Sequence, residues 1–186
     1  MAIAERSRFG QRATEAELLE LPDDGFLYEL EDGILTGKPA VSMWESVIAV
    51  NTVGLLAPYS RGKGIMTCGK AGFRMTNGSI RVPTLSFARK ERFPGGKAPN
   101  DFGDLAPDLC VEIISPSERP AQMRRKVQEY FDGGAVQVWH VFPERQEVIV
   151  FTSTTETQTL GAEDILDTGG ILPGFSCQVK DLFEAE

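Results

Sequence analysis

The sequence predicts an α/β (α+β) fold, in which a mixed central β-sheet is flanked by helices with extra hairpins. Two observations predict it. Helical and strand patterns follow one another without the strict alternation of a βαβ array. Residues 109–114 form a run that is apolar on both faces of a strand, which is typical of a sheet centre. The length of 186 residues fits one domain, residues 1–186, with its core at about residues 43–142.

Two helices are predicted in the first third of the chain. Thr14 has the character of an N-cap, with Glu17 three residues later, and the turn at residues 22–25 ends this short helix. Residues 43–57 place apolar side chains at helical spacing. We expect Pro58 to stop that second helix, because proline lacks the amide hydrogen that a further turn needs.

Turn residues mark the strands. Asp32-Gly33 is a two-residue turn between strand patterns, and Asn77-Gly78 is a strong hairpin signal, so each predicts a hairpin. Strands are also predicted on both sides of the turn at Pro143-Glu144. The single histidine, His140, lies in the first of these two strands and is predicted to be an ordinary strand residue.

The composition excludes several classes of protein. An apolar fraction of 41% and a charged fraction of 25% are ordinary for a soluble globular protein. No apolar run approaches the ~18–20 residues of a membrane span, and the first ten residues lack the apolar segment of a signal peptide. Three separated cysteines predict neither a disulfide framework nor a zinc site. We therefore expect a cytoplasmic protein.

The charges are distributed unevenly along the chain. The net charge is −8, which argues against a nucleic-acid partner. Residues 61–99, however, carry nine basic side chains and one acidic side chain, a local charge of +8. Such a block is often only a solvated face. It is also a candidate for a phosphate-facing surface on an otherwise acidic protein.

Two carboxylates lie in or beside the apolar run at residues 109–114. Glu112 shares one face of the predicted strand with Cys110 and Ile114. A carboxylate at a sheet centre needs a partner, which is either a Lys or Arg side chain in a structural pair or a metal ion. Asp108 precedes the strand, where an aspartate more often accepts hydrogen bonds from backbone amides.

The helix after this strand carries Lys126. The helix is predicted to begin near Ser117 or Glu118, with Pro120 in its first turn, and to end before residues 133–134. Lys126 is either a solvated lysine or an ammonium directed at the carboxylate of the sheet. The second alternative follows from its position beside the apolar stripe of this helix, which consists of Met123, Val127, Tyr130 and Phe131.

The segments "PDLCVEIISPSERP" and "RRKVQEYFDGGAVQVWHVFPERQEVIVF" carry a resemblance to a known family. The resemblance is to a large bacterial family of restriction-endonuclease-like proteins in the PD-(D/E)XK nuclease superfamily. It extends to "YELEDGIL", "KAGFRM", "RVPTLSFARKERF" and "LPGFS", so it covers nearly the whole chain. The resemblance implies a restriction-endonuclease-like core and a hydrolase that acts on DNA.

The family pattern also implies a site. Glu112 corresponds to a Mg²⁺ (or Mn²⁺) ligand, Lys126 to the lysine that orients or activates the attacking water, and Glu29 to a further acidic position. The expected second ligand is an aspartate, but this chain has Thr84 there. A threonine hydroxyl is neutral and a poor Mg²⁺ ligand, so the resemblance implies a weakened or absent metal site. Asp108 is a minor candidate for a ligand.

Two functions follow from this pattern. The first is a Mg²⁺-dependent endonuclease that hydrolyses DNA phosphodiester bonds and is impaired by Thr84. The alternative is a catalytically inactive nuclease fold that serves as a DNA-binding or protein-interaction module. DNA is the expected partner in the first case, through residues 61–99, Arg124 and Arg125. The resemblance also implies a homodimer, because duplex cleavage needs two sites.

Overall fold

The structure is a computed structural model that describes residues 8–38, 41–116 and 118–184. The helices in these ranges are α1 (Glu15–Leu19), α2 (Met43–Ser60) and α3 (Pro120–Asp132). The strands are β1 (Leu27–Glu31), β2 (Ile34–Lys38), β3 (Gly64–Cys68), β4 (Phe73–Arg74), β5 (Ile80–Arg81), β6 (Leu85–Arg89), β7 (Gly103–Asp104), β8 (Leu109–Ile113), β9 (Gln137–Phe142), β10 (Glu147–Phe151), β11 (Thr157–Leu160), β12 (Ile165–Asp167) and β13 (Ser176–Gln178).

The main sheet has the strand order β11-β10-β9-β8-β6-β3. Strands β8 and β9 are parallel, and the other neighbours are antiparallel. Strand β8 therefore lies inside a mixed sheet, which confirms the predicted fold class. The two faces of β8 pack on different helices. Leu109 and Val111 lie in one core with Ile48 of α2, whereas Cys110 lies in a second core with Val127 of α3.

A second sheet, with the order β2-β1-β5-β4-β7, lies beside α3. The β1–β2 hairpin turns at Asp32 and Gly33, with φ angles of 49° and 74°. The predicted hairpin at Asn77-Gly78 is also confirmed, and its two arms serve both sheets. Near the turn, β4 pairs with β5 in the second sheet, and farther along the same arms β3 pairs with β6 in the main sheet. This hairpin thus connects the two sheets covalently.

The prediction that α2 stops at Pro58 is wrong. The helix runs to Ser60, with Pro58 in its last turn. A proline there removes a single amide donor, to the carbonyl of Gly54, and the two residues that follow complete the turn. None of the helices within the described ranges is long and apolar enough to cross a membrane.

The predicted ends of α3 are largely confirmed. Ser117, one of the two residues expected near its start, lies outside the described residues, and Glu118 lies in the loop just before the helix. Pro120 is the first helical residue. At the other end, Gly134 has a φ angle of 87°, a left-handed conformation that glycine adopts without strain.

Gly64 provides a test of the packing between β3 and β6. A Cβ atom at this position would lie 2.2 Å from the carbonyl oxygen of Ala88, so Gly64→Ala is expected to lower the free energy of unfolding by ~1–3 kcal/mol. Gly54 is the matched control, because a Cβ there meets nothing within 4 Å. Gly54→Ala should raise the free energy of unfolding by about 0.5–1 kcal/mol. Urea denaturation measures both, and equal stabilities would contradict the described packing.

Candidate active site

Glu112 lies near the carboxyl end of β8, on the face that α3 covers. Its exposed fraction is 2%. Its Oε1 accepts hydrogen bonds from the Tyr130 hydroxyl at 2.7 Å and from Lys126 Nζ at 3.2 Å. Burial would raise the pKa of Glu112, but the charges of Lys126 and Lys38 and the Tyr130 hydroxyl lower it from 4.5 to about 2. The carboxylate is therefore ionised at neutral pH.

Lys126 joins this carboxylate to a second one. Its Nζ donates to Glu29 Oε1 at 2.8 Å as well as to Glu112. Burial would lower the pKa of Lys126, but Glu112 and Glu29 raise it above its ordinary value, so the ammonium stays protonated. The alternative of a solvated lysine is thereby excluded, since the residue is 6% exposed.

Glu29 is held in place by the second sheet. It lies on β1, is 4% exposed, and accepts a hydrogen bond at 2.9 Å from the amide of Val82. Its Oε2 is 3.3 Å from a guanidinium nitrogen of Arg81, which also pairs with Glu129 of α3. Burial would lower the pKa of Arg81, but Glu129 and Glu29 raise it. Glu29 is thus balanced by two buried cations, Lys126 and Arg81.

Thr84 immediately precedes β6 and is opposite Glu112. The pairing of Leu85 with Val111 in antiparallel strands, continued by one residue, brings Thr84 beside Glu112. Its Oγ1 accepts a hydrogen bond at 3.2 Å from the amide of Ile113. Thr84 and Glu112 line the same cavity, as expected for the position where the family pattern has its aspartate.

The cavity beside Glu112 has a volume of about 320 Å³. At its edge, Lys38 of β2 pairs with Glu118, and Lys38 Nζ lies 4.0 Å from Glu112 Oε2. Burial and the charge of Glu112 raise the pKa of Glu118, while Lys38 opposes the shift. The cavity is lined by further residues of the second sheet and of α3, among them Glu29, Arg81, Met123 and Lys126.

Asp108 lies at the other end of β8, about 13 Å along the strand from Glu112. It is 1% exposed and accepts a hydrogen bond at 2.8 Å from the amide of Arg89. The side chains of Arg89 and Arg92 also pair with it, at 3.3 and 3.0 Å. These contacts match the structural role that the sequence favours for Asp108, and it does not line the cavity.

A family model matches residues 15–180 of this chain. The family is Uma2, which is described as "Putative restriction endonuclease". The chain belongs to the Uma2 family. The resemblance seen in the sequence motifs is thereby confirmed.

A solved structure with a similar fold is the "putative nuclease belonging to DUF820" from Anabaena variabilis. It is 21% identical to this chain, with a TM-score of 0.77. The match covers 92% of this chain and 97% of the other. At this identity the likeness shows the fold alone, and it supports the restriction-endonuclease-like class. None of the curated proteins matches this chain.

The metal implied for this Uma2 chain can be tested against its donor atoms. No group of three or more Asp, Glu, His or Cys side chains suited to a metal occurs among the described residues. Mg²⁺ nevertheless needs only one or two protein carboxylates, with water and phosphate as its other ligands. Glu112 lines the cavity, and its Oε2 lies 4.0 Å from Lys38 Nζ. The residues fit a weakly held Mg²⁺, with Glu112 as its anchor.

The positive block at residues 61–99 is partly neutralised by ion pairs within the chain. Arg125, another candidate for DNA contact, pairs with Glu31 and Glu129 at 3.1 and 3.2 Å. Arg124, in contrast, is exposed and forms no ion pair among the described residues. Five cations of the block pair with carboxylates of this chain: Lys70, Arg74, Arg81, Arg89 and Arg92. The other four are exposed and unpaired within the described ranges: Arg61, Lys63, Lys90 and Lys97.

His140 lies next to Glu112 in the parallel pairing of β8 and β9, at 3% exposure. Its Nε2 has no hydrogen-bond partner among the described residues. Burial lowers the pKa of His140 to about 4, so the imidazole is neutral at pH 7. Its ring packs on Phe151 at a centroid distance of 4.8 Å and lines a second cavity of about 470 Å³. No sequence signal marks this environment.

Several residues of the site were not predicted from the sequence. Tyr130 was assigned to the apolar stripe of α3, and its hydroxyl was not expected to bind Glu112. Lys38, Arg81 and Glu118 were not assigned to the site at all. Their partners are 80, 48 and 80 residues away in the chain, so local patterns carry no signal for them.

The buried pairing of Lys126 predicts a large effect on stability. Lys126→Met removes the ammonium and leaves Glu112 and Glu29 short of a cation, so the free energy of unfolding should fall by ~3–5 kcal/mol. The double variant Glu112→Gln/Lys126→Met should regain part of this loss, because one uncompensated charge is removed. Chemical denaturation at pH 7 measures each variant.

The matched control for this prediction is Lys90→Met, at an exposed lysine without an ion pair in the described part of the chain. This change should alter stability by less than ~0.5 kcal/mol. If Lys126→Met is as mild as the control, the ammonium is not buried between the two carboxylates.

Proposed function

We propose that this protein is a Mg²⁺-dependent endonuclease that hydrolyses DNA phosphodiester bonds at the cavity beside Glu112. The observation that carries the proposal is the ionised, buried Glu112 carboxylate, whose Oε1 is held by Tyr130 and Lys126 and which lines the cavity. Membership of the Uma2 family supports a nuclease activity. Mn²⁺ is an equivalent cofactor in this proposal.

Glu112 would hold the metal through Oε2, with Thr84 at the edge of the site. When bound, Mg²⁺ acidifies a coordinated water and offsets the charge that develops on the phosphate. The charges of Glu112 and Glu29 raise the pKa of Lys126, so we assign it no role as a proton acceptor in this proposal. Its role is to orient Glu112, with Glu29 as its counterion, and to add positive charge behind the scissile phosphate.

DNA is the proposed substrate because the family is one of nucleases. The basic residues 61–99 support contact with the phosphate backbone only through the four that remain unpaired, while Arg124 lies exposed on α3. A homodimer and a cytoplasmic location belong to the proposal as well. A dimer would supply the two sites that cleavage of both strands requires.

A second function is favoured by one observation. Thr84 supplies no charge, and Lys126 and Lys38 already balance much of the charge of Glu112 without a metal. The same fold therefore suits an inactive DNA-binding or protein-interaction module, as the sequence also allowed. Metal-dependent cleavage distinguishes the two functions.

Cleavage of supercoiled plasmid is the first test of the proposal. With millimolar Mg²⁺ or Mn²⁺ we expect nicked and linear products from the wild type. Glu112→Gln should reduce the rate by at least 100-fold, because the metal loses its anchor. Glu144→Gln, at an exposed carboxylate away from the first cavity, is the matched control and should cleave normally. Failure of the wild type to cleave any DNA with either metal would favour the inactive module.

The second test is Thr84→Asp. In metal-free buffer this variant should melt at a lower temperature, because a second carboxylate is placed beside Glu112. Millimolar Mg²⁺ should then restore the melting temperature by binding to the folded state. Cleavage should also increase, since the site gains its expected ligand. Thr84→Asn is the control, because it keeps an acceptor for the Ile113 amide but adds no charge. If Mg²⁺ shifts both variants alike, position 84 is not at a metal site.

A further inference from the structure

The cavity beside Glu112 contains a second carboxylate. Glu118 lies in the loop before α3, and its side chain is 12% exposed. It lines the same cavity as Glu112 and Thr84. The ammonium of Lys38 pairs with Glu118 and lies 4.0 Å from Glu112 Oε2. One cation therefore sits between a carboxylate of the central strand and a carboxylate of the loop.

A divalent cation would neutralise Glu112 and Glu118 more fully than the single positive charge of Lys38 does. Lys126 donates its hydrogen bonds to Glu29 and to Glu112 Oε1 rather than to Glu118. Lys38 then brings one positive charge to two carboxylates, whereas Mg²⁺ brings two. Mg²⁺ also accepts a coordination sphere of two carboxylates, water and phosphate. The side chain of Glu118 can approach Glu112 because it extends from a loop.

We propose that Glu118 supplies the second carboxylate of the metal site, in place of the aspartate that this chain lacks at position 84, and that Lys38 holds Glu118 and Glu112 together until a divalent cation displaces it. The inference rests on the proposed metal-dependent function. It assigns a role to a residue outside the two strands that carry Thr84 and Glu112. Thr84 then needs no charge, because the acid comes from the opposite side of the cavity.

Lys38 has two roles in this arrangement. Without metal it prevents the repulsion of two carboxylates in one cavity. With metal its ammonium is released beside the cavity, where it is available to a phosphate oxygen. Removal of Lys38 should therefore weaken the metal-free protein and strengthen metal binding. Loss of the Lys38 charge alone also favours a cation at Glu112, so the variants of Glu118 decide the assignment.

The test is calorimetric titration with MnCl₂ in the absence of nucleic acid, combined with melting temperatures. Glu118→Gln should bind Mn²⁺ at least tenfold more weakly than the wild type. Lys38→Met should melt lower in metal-free buffer, bind Mn²⁺ at least threefold more tightly, and regain its melting temperature when Mn²⁺ is added. The double variant Lys38→Met/Glu118→Gln loses both charges of the pair, so it should fold and yet bind Mn²⁺ weakly.

Glu144→Gln is the control, because Glu144 is an exposed carboxylate that does not line this cavity. It should bind Mn²⁺ as the wild type does. The inference is overturned if Glu118→Gln or the double variant keeps wild-type affinity, or if neither the wild type nor Lys38→Met binds Mn²⁺. Loss of binding in Glu112→Gln alone would keep the proposed site and remove the role of Glu118. Binding that depends on Glu118 without any DNA cleavage would remove the proposed activity and keep this assignment.

Discussion

The ion pair network around Lys126 is the interaction on which the rest of the structure depends. Its ammonium binds Glu29 of the second sheet and Glu112 of the main sheet, and it belongs to the helix between them. A buried carboxylate without a partner is costly, so both sheets must present their acids to the same point of α3. Arg81 repeats this link by joining Glu29 to Glu129. The same ion pairs therefore form the candidate site and connect the two sheets.

The need of buried carboxylates for a partner also explains which basic residues form ion pairs. An acidic chain has more carboxylates than cations, and its buried acids bind the nearest guanidinium groups. Arg81 serves Glu29, and the pair of Arg89 and Arg92 serves Asp108. The excess of positive charge at residues 61–99 is therefore a property of the sequence more than of the surface. The nine basic residues lie close together in the sequence, but five of them pair with carboxylates of the same chain.

The central strand and its helix could be predicted because their signals are local. The period-two pattern around Glu112 and the apolar stripe beside Lys126 placed both side chains on facing surfaces, and the hairpin turns were equally readable. Pro58 was misread because a proline near a helix end costs only one hydrogen bond. Lys38 and Glu118 could not be found, since their pairing depends on how a hairpin and a loop meet in space. The hydrophobic pattern of the sequence carries no signal for this contact.

At position 84 a neutral side chain lies beside Glu112. In a metal-free site with two strand carboxylates, repulsion would have to be offset by protonation or by further cations. With threonine, the charges of Lys126 and Lys38 and the Tyr130 hydroxyl keep Glu112 ionised, and the Thr84 hydroxyl accepts a hydrogen bond from the Ile113 amide. Glu112 is thereby balanced without a metal. In the proposed function the same cations would compete with Mg²⁺ for Glu112, so the pairing that neutralises Glu112 without a metal would oppose metal binding.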